Sequence, residues 1–183
     1  MCGIAGIISD RPIDESALAA LGKALAHRGP DDQGIWRRDP AQSGKGPYIG
    51  LVHRRLSILD LAHGHQPMVS GNGKTVIVYN GEIYNSPKLR EELNANGVPL
   101  KTTCDTEVIL ELLARQGLEP TLAKLRGMFA FVCWDESSRQ LLIARDHLGQ
   151  KPLFYVKRPG FFAFASEIKA LLAAGIANNL ART

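Results

Sequence analysis

At 183 residues, with 45% hydrophobic side chains and a formal charge of +4, the chain is sized for one domain, 1–183, with a substantial core. Its Lys and Arg are scattered, and the densest pair, Arg37-Arg38, is followed at once by Asp39, which argues against a nucleic-acid surface. The longest apolar stretch, 128–134, is too short to span a bilayer, and the apolar residues 2–8 carry no basic leader. Cys2, Cys104 and Cys133 are odd in number and form no C-x-x-C, which disfavours a disulfide framework or a zinc site and favours a reducing cytoplasm.

In chain order, residues 2–8 read as a buried strand. Residues 14–27 suit a helix, with Leu18, Leu21 and Leu25 on one face. Residues 28–34, Arg-Gly-Pro-Asp-Asp-Gln-Gly, signal a loop, and the polar, glycine-rich 35–47 a loose hairpin region. Strand-like pieces follow at 50–53 and 56–59. The clearest strand, 74–79, runs straight into Asn80-Gly81. Ser86-Pro87 opens a helix, with Ser as cap and Pro at the first helical position, and that helix stops near Asn96-Gly97.

Asp105 begins another helix, with Val108, Ile109, Leu112 and Leu113 on one face and Gly117 beyond its end. Strands at 128–134, 140–145, 153–157 and 161–165 precede a last helix over 166–174. Strands grouped as hairpins, with helices between the groups, predict α+β architecture with antiparallel sheets.

Four features carry chemistry. Removal of Met1 would leave Cys2 with a free α-amine beside its own thiol. An α-amine has a reference pKa of about 7.7–8.0, so it can serve as the base for the thiol, directly or through one water. By position alone Cys2 reads first as a neutral free cysteine, although Gly3 and Gly6, which allow backbone to come close, raise the functional reading. Asn80-Gly81 at a strand end could present a side-chain and a backbone N–H to an oxyanion; the competing reading is a type I′ hairpin turn, against which a helix signal follows. Within His53-Arg54-Arg55-Leu56-Ser57, a guanidinium could pair with an α-carboxylate, or the arginines could simply lie on the surface. Asp105 could hold an α-ammonium or merely cap its helix.

These pieces occur in a fixed order: Met1-Cys2-Gly3-Ile4-Ala5-Gly6-Ile7, His27-Arg28-Gly29-Pro30-Asp31, His53-Arg54-Arg55-Leu56-Ser57-Ile58, Asn80-Gly81-Glu82-Ile83-Tyr84-Asn85 and Asp105-Thr106-Glu107-Val108-Ile109. Gly127-Met128-Phe129-Ala130-Phe131, Arg145-Asp146-His147-Leu148-Gly149-Gln150-Lys151-Pro152-Leu153 and Ala165-Ser166-Glu167 complete the set. The ordered set resembles the N-terminal glutaminase domain of glutamine-hydrolysing asparagine synthetases, the class II (N-terminal nucleophile) amidotransferases.

The resemblance covers nearly the whole chain and implies a four-layer αββα sandwich of two antiparallel sheets. It implies that Cys2 attacks the side-chain amide of L-glutamine to form a γ-glutamyl thioester, with Asn80 and Gly81 as the oxyanion hole. Arg55 would hold the substrate carboxylate and Glu82 and Asp105 its α-amine, while Leu56 and Ile58 shape the pocket. Water would release glutamate, and ammonia would leave for a second site. No cofactor is implied here; ATP and Mg belong to a synthetase domain that opens with a Ser-Gly-Gly-x-Asp-Ser loop. Ser70-Gly71-Asn72-Gly73-Lys74 has the wrong spacing for that loop and precedes a strand.

The partners implied are glutamine and a synthetase domain or subunit, with no nucleic acid or membrane; a homodimer fits but is not specified. Fragment and stand-alone glutaminase both stay open, as does the ammonia acceptor, asparagine synthesis being the first choice. Three rivals stand beside this reading. One is an amidohydrolase of the same class acting on another amide. Another is a Cys–His hydrolase using His27, His53, His63, His65 or His147. The third is a non-catalytic module that binds glutamine or a partner.

Overall fold

The computed structural model describes residues 1–57 and 63–176. Its elements are β1 (Gly3–Ser9), α1 (Glu15–Ala24), β2 (Asp32–Arg38), α2 (Pro40–Ser43), β3 (Tyr48–Arg55), β4 (Met68–Val69), β5 (Thr75–Ile83) and α3 (Ser86–Ala95). There follow α4 (Asp105–Gln116), α5 (Leu118–Lys124), β6 (Gly127–Asp135), β7 (Gln140–Arg145), β8 (Phe154–Arg158), β9 (Phe161–Ala165) and α6 (Ile168–Ala173). They group into two units, Met1–Leu56 with the segment from Pro152 onward, and Ser57–Lys151. Each unit holds one antiparallel sheet with its helices, which meets the α+β expectation. No helix among the described residues is long and apolar enough to cross a membrane.

The first sheet has the order β2-β3-β1-β9-β8. Helix α1 starts where the Asp14 side chain accepts from the Ser16 N–H at 2.9 Å. Its Leu18 and Leu21, with Leu25 just past its end, are fully buried against Ala5, Ile7 and Val52 of the sheet and beside Ala170 and Leu171 of α6. Each such leucine is worth roughly 1.5–3 kcal/mol of transfer free energy. Side-chain alternation along β3 then separates two neighbouring arginines. Val52 faces the helices, so Arg54 does too, and its Nε donates to the Gly22 carbonyl of α1 at 2.9 Å. Arg55 falls on the opposite face and is 6% exposed.

The second sheet has the order β4-β5-β6-β7. Ile77, Tyr79 and Ile83 of β5 and Phe129, Phe131 and Cys133 of β6 form one core with Leu89 and Leu93 of α3 and Val108, Ile109, Leu112 and Leu113 of α4. Val76, Val78 and Asn80 occupy the other face of β5 and are equally buried. Burial on both faces explains why this strand reads as a continuous apolar run rather than an alternation.

Several expectations are corrected. The loop and hairpin region 28–47 contains β2, paired along its length with β3, and the short helix α2. Arg38 explains its polar appearance: buried at 3% exposure, the guanidinium donates to the carbonyls of Pro47, Lys45 and Gly44. A polar side chain spent on satisfying a loop looks like surface in a sequence. Of the strand expected at 56–59, Leu56 and Ser57 lie outside β3, and 58–59 lie outside the described residues. Asn85, not Ser86, is the N-cap of α3, and the last helix starts at Ile168 rather than Ser166. Ser166 instead belongs to the sheet end, exchanging two hydrogen bonds with Ile4.

Candidate active site

In the first unit, Cys2 sits immediately before β1. The β1–β3 register sets Gly3 opposite Arg54, which brings Cys2 to the end of the strand that carries Arg55. The Cys2 thiol is half-buried and donates to the Leu56 carbonyl at 3.8 Å. Leu56 thus meets Cys2 through backbone. Arg55 is buried, which sets aside the surface-arginine alternative.

The loop 28–31 ties these pieces together. Its Asp31 N–H donates to the Arg55 carbonyl at 3.0 Å. A Cβ on Gly29 would stand 2.4 Å from the Arg54 carbonyl carbon and 2.5 Å from the Arg55 nitrogen, so only glycine lets the loop lie on β3. Arg28 Nε donates to the Cys2 carbonyl at 2.9 Å, and Nη1 to Glu167 Oε1 at 2.9 Å.

In the second unit, Asn80 and Gly81 lie inside β5, opposite Ala130 and Phe129 of β6. The type I′ turn is therefore excluded. Gly81 is needed because a Cβ there would stand 2.3 Å from the Met128 carbonyl oxygen. Asn80 is 2% exposed, and its Nδ2 is buried without a hydrogen-bond partner among the described residues. A buried amide donor left unpaired costs free energy, so such a group can donate to an incoming acceptor. Glu82 is exposed on the same strand.

Asp105 is the first residue of α4 rather than its cap, a position held by Cys104. Its carboxylate is tied to β5 instead, where Oδ2 accepts from Tyr79 Oη at 2.7 Å and from the Ile83 N–H at 2.9 Å. Burial pushes this carboxyl above the usual range, against the hydrogen bonds from Tyr79 and Ile83. The Tyr79 N–H donates to Gln66 Oε1 at 2.7 Å, and Gln66 Nε2 to Thr106 Oγ1 at 3.2 Å, which braces the strand against the helix start.

The structure therefore groups Cys2, Arg55 and Leu56 in one unit, and Asn80, Gly81, Glu82 and Asp105 in the other. Ile58 lies outside the described residues. Of the histidines, His27 Nε2 is 3.0 Å from Glu167 Oε1, and His53 is fully buried within β3. Cys104 and Cys133 are buried, and burial pushes both thiols up, which makes them poor nucleophiles. Sequence reasoning missed Tyr79 and the pairing of Arg28 with Glu167. Arg28 and Glu167 stood in recognised motifs without a role, and Tyr79 had no signal beyond its strand.

The profile of a glutamine amidotransferase domain matches residues 1–183. The chain belongs to this family. As a glutamine amidotransferase domain it is 40% identical over 178 residues to asparagine synthetase (glutamine-hydrolysing) 3 of Bacillus subtilis, an alignment covering 94% of this chain and 28% of that protein. It is 45% identical over 162 residues to a putative asparagine synthetase (glutamine-hydrolysing) of Mycobacterium tuberculosis, covering 86% of this chain and 24% of the relative. The amidotransferase domain thus spans about a quarter of the length of these relatives. Among solved structures, glutamine phosphoribosylpyrophosphate amidotransferase of B. subtilis superimposes with a TM-score of 0.74 at 24% identity, over 95% of this chain and 44% of that one. The chain accordingly shares the fold of that amidotransferase.

Proposed function

We propose that this chain hydrolyses the side-chain amide of L-glutamine to glutamate and ammonia, and that the ammonia feeds an ATP-dependent amidation in a synthetase domain or subunit. The names of the relatives favour asparagine as the product. The observation that carries the reading is Asn80. Its unpaired buried Nδ2 lies beside Gly81, the combination an amide oxyanion requires.

The mechanism starts with removal of Met1, which is 57% exposed and open to an aminopeptidase. The freed α-amine takes the Cys2 thiol proton. The sulfur attacks the glutamine amide carbon, and the developing oxyanion receives the N–H groups of Asn80 and Gly81. The protonated amine gives its proton to the leaving nitrogen, and ammonia departs from a γ-glutamyl thioester. Water, deprotonated by the same amine, then releases glutamate and restores the thiol. Arg55 pairs with the substrate α-carboxylate, and Asp105 and Glu82 attract its α-ammonium. The ammonium compensates the desolvated Asp105 carboxylate, which its protein partners leave with a raised pKa. ATP and Mg act in the synthetase portion rather than in this domain.

The test is the intact mass of the purified chain with and without 6-diazo-5-oxonorleucine, an electrophilic glutamine analogue. Loss of Met1 and one adduct mapped to Cys2 is the expected result, and Cys2→Ala should take up none. A chain that keeps Met1 yet hydrolyses glutamine would show that the free amine is unnecessary. No adduct on a chain that has lost Met1 would leave a binding module.

A further inference from the structure

We propose that Glu167 is a positioning residue for the Cys2 nucleophile, acting through the Arg28 guanidinium. The inference rests on the glutaminase reading of Cys2. A nucleophile at a chain terminus is held by backbone on one side only, and anything that fixes its own carbonyl narrows the directions its thiol can take. Here that carbonyl accepts from Arg28 Nε at 2.9 Å.

The guanidinium itself needs an anchor. The Arg28 side chain is 8% exposed, and its Nη2 is buried without a partner among the described residues. A charge so desolvated stays in place only if an anion faces it. Glu167 Oε1, 2.9 Å from Nη1, is that anion. Glu167 stands between β9 and α6 at the N-cap of α6 with an extended backbone (φ −143, ψ 139), yet its side chain makes no capping bond to its own helix. A cap position ordinarily spends its side chain on the helix; here the carboxylate is turned to Arg28.

Two neighbouring side chains reinforce the arrangement. Lys169 Nζ is 3.0 Å from Oε2, and His27 Nε2 is 3.0 Å from Oε1. Partial burial pushes the Glu167 carboxyl up, but Arg28, Lys169 and His27 outweigh it and hold it at about 2, so the anchor stays charged throughout the working pH range. The chain Glu167–Arg28–Cys2 carbonyl thus runs from the α6 cap to the nucleophile. Gly29, next in sequence to Arg28, lies on the Arg54–Arg55 backbone, so the same loop registers the nucleophile against the carboxylate-binding arginine.

The experiment compares wild type, Glu167→Ala and Glu167→Gln, each as the full chain with Met1 removed. It reads the rate of Cys2 labelling by 6-diazo-5-oxonorleucine, kcat and KM for glutamine, and the thermal midpoint. A loosened nucleophile should label about 10-fold more slowly in Glu167→Ala, with kcat reduced in step and KM within about twofold of wild type. Glu167→Gln, which keeps an acceptor oxygen for Arg28, should label faster than the alanine variant. Wild-type labelling by Glu167→Ala, a loss that only tracks its unfolded fraction, or a loss carried entirely by KM would each overturn the proposal. Failure of the wild-type chain to label at Cys2 would instead overturn the glutaminase reading, and this inference with it.

Discussion

Two buried side chains, Asn80 and Asp105, are expected to set stability against function. Asn80 Nδ2 has no partner among the described residues, so removing it should take little from the folded chain, while the proposed oxyanion would lose a donor. Asn80→Ala is expected to lower kcat by about 100- to 1,000-fold with an unchanged circular-dichroism spectrum. Asp105 carries a charge where burial resists one, so its folded pKa is raised. A raised carboxyl destabilises the fold above its unfolded pKa, and the penalty is relieved only as pH falls through the folded value. Asp105→Asn should therefore match or exceed wild-type stability at pH 7 in urea titrations, while KM for glutamine rises about 10-fold or more for want of the carboxylate. A marked fall in stability would contradict this account of Asp105.

Among the elements, the loop 28–31 is the most constrained. Gly29→Ala forces a Cβ onto the Arg54–Arg55 backbone, where no rotamer change can relieve the contact. The expected cost is about 1–3 kcal/mol in a denaturant titration, with slower Cys2 labelling in the fraction that folds. Asp14→Ala tests a purely local device, the N-cap of α1, and should lower the denaturation midpoint slightly without altering the labelling rate of folded protein. The elements were unevenly legible in the sequence. Helix α1 was visible because its leucines repeat at helical spacing on a single buried face. Strand β2 was not, because it is held by pairing with β3 and carries Arg38, whose guanidinium serves the carbonyls of a neighbouring loop. Pairing partners and buried polar contacts leave no periodic trace.

For the molecule as a whole, acid stability reports on the carboxylates the fold has captured. Glu167 is held at about 2 against an ordinary 4.5. Asp146 is also lowered: its desolvation is outweighed by N–H groups of Gln150, Lys151, Phe129 and Leu148. A depressed carboxyl contributes stability above its unfolded pKa and loses it as pH falls through the folded one. The urea midpoint should consequently decline between pH 4.5 and about 2, and Glu167→Gln should flatten part of that decline. The sequence by itself determined the family, because its motifs follow one another along the chain in an order specific to that family. Which face each side chain took was decided by the tertiary structure: Arg54 to the helix, Arg55 to the opposite face, Asn80 into a strand rather than a turn. Folding alone also joined Arg28 to Glu167 across 139 positions of sequence, since a salt bridge of that span exists only once β1 and β9 have paired.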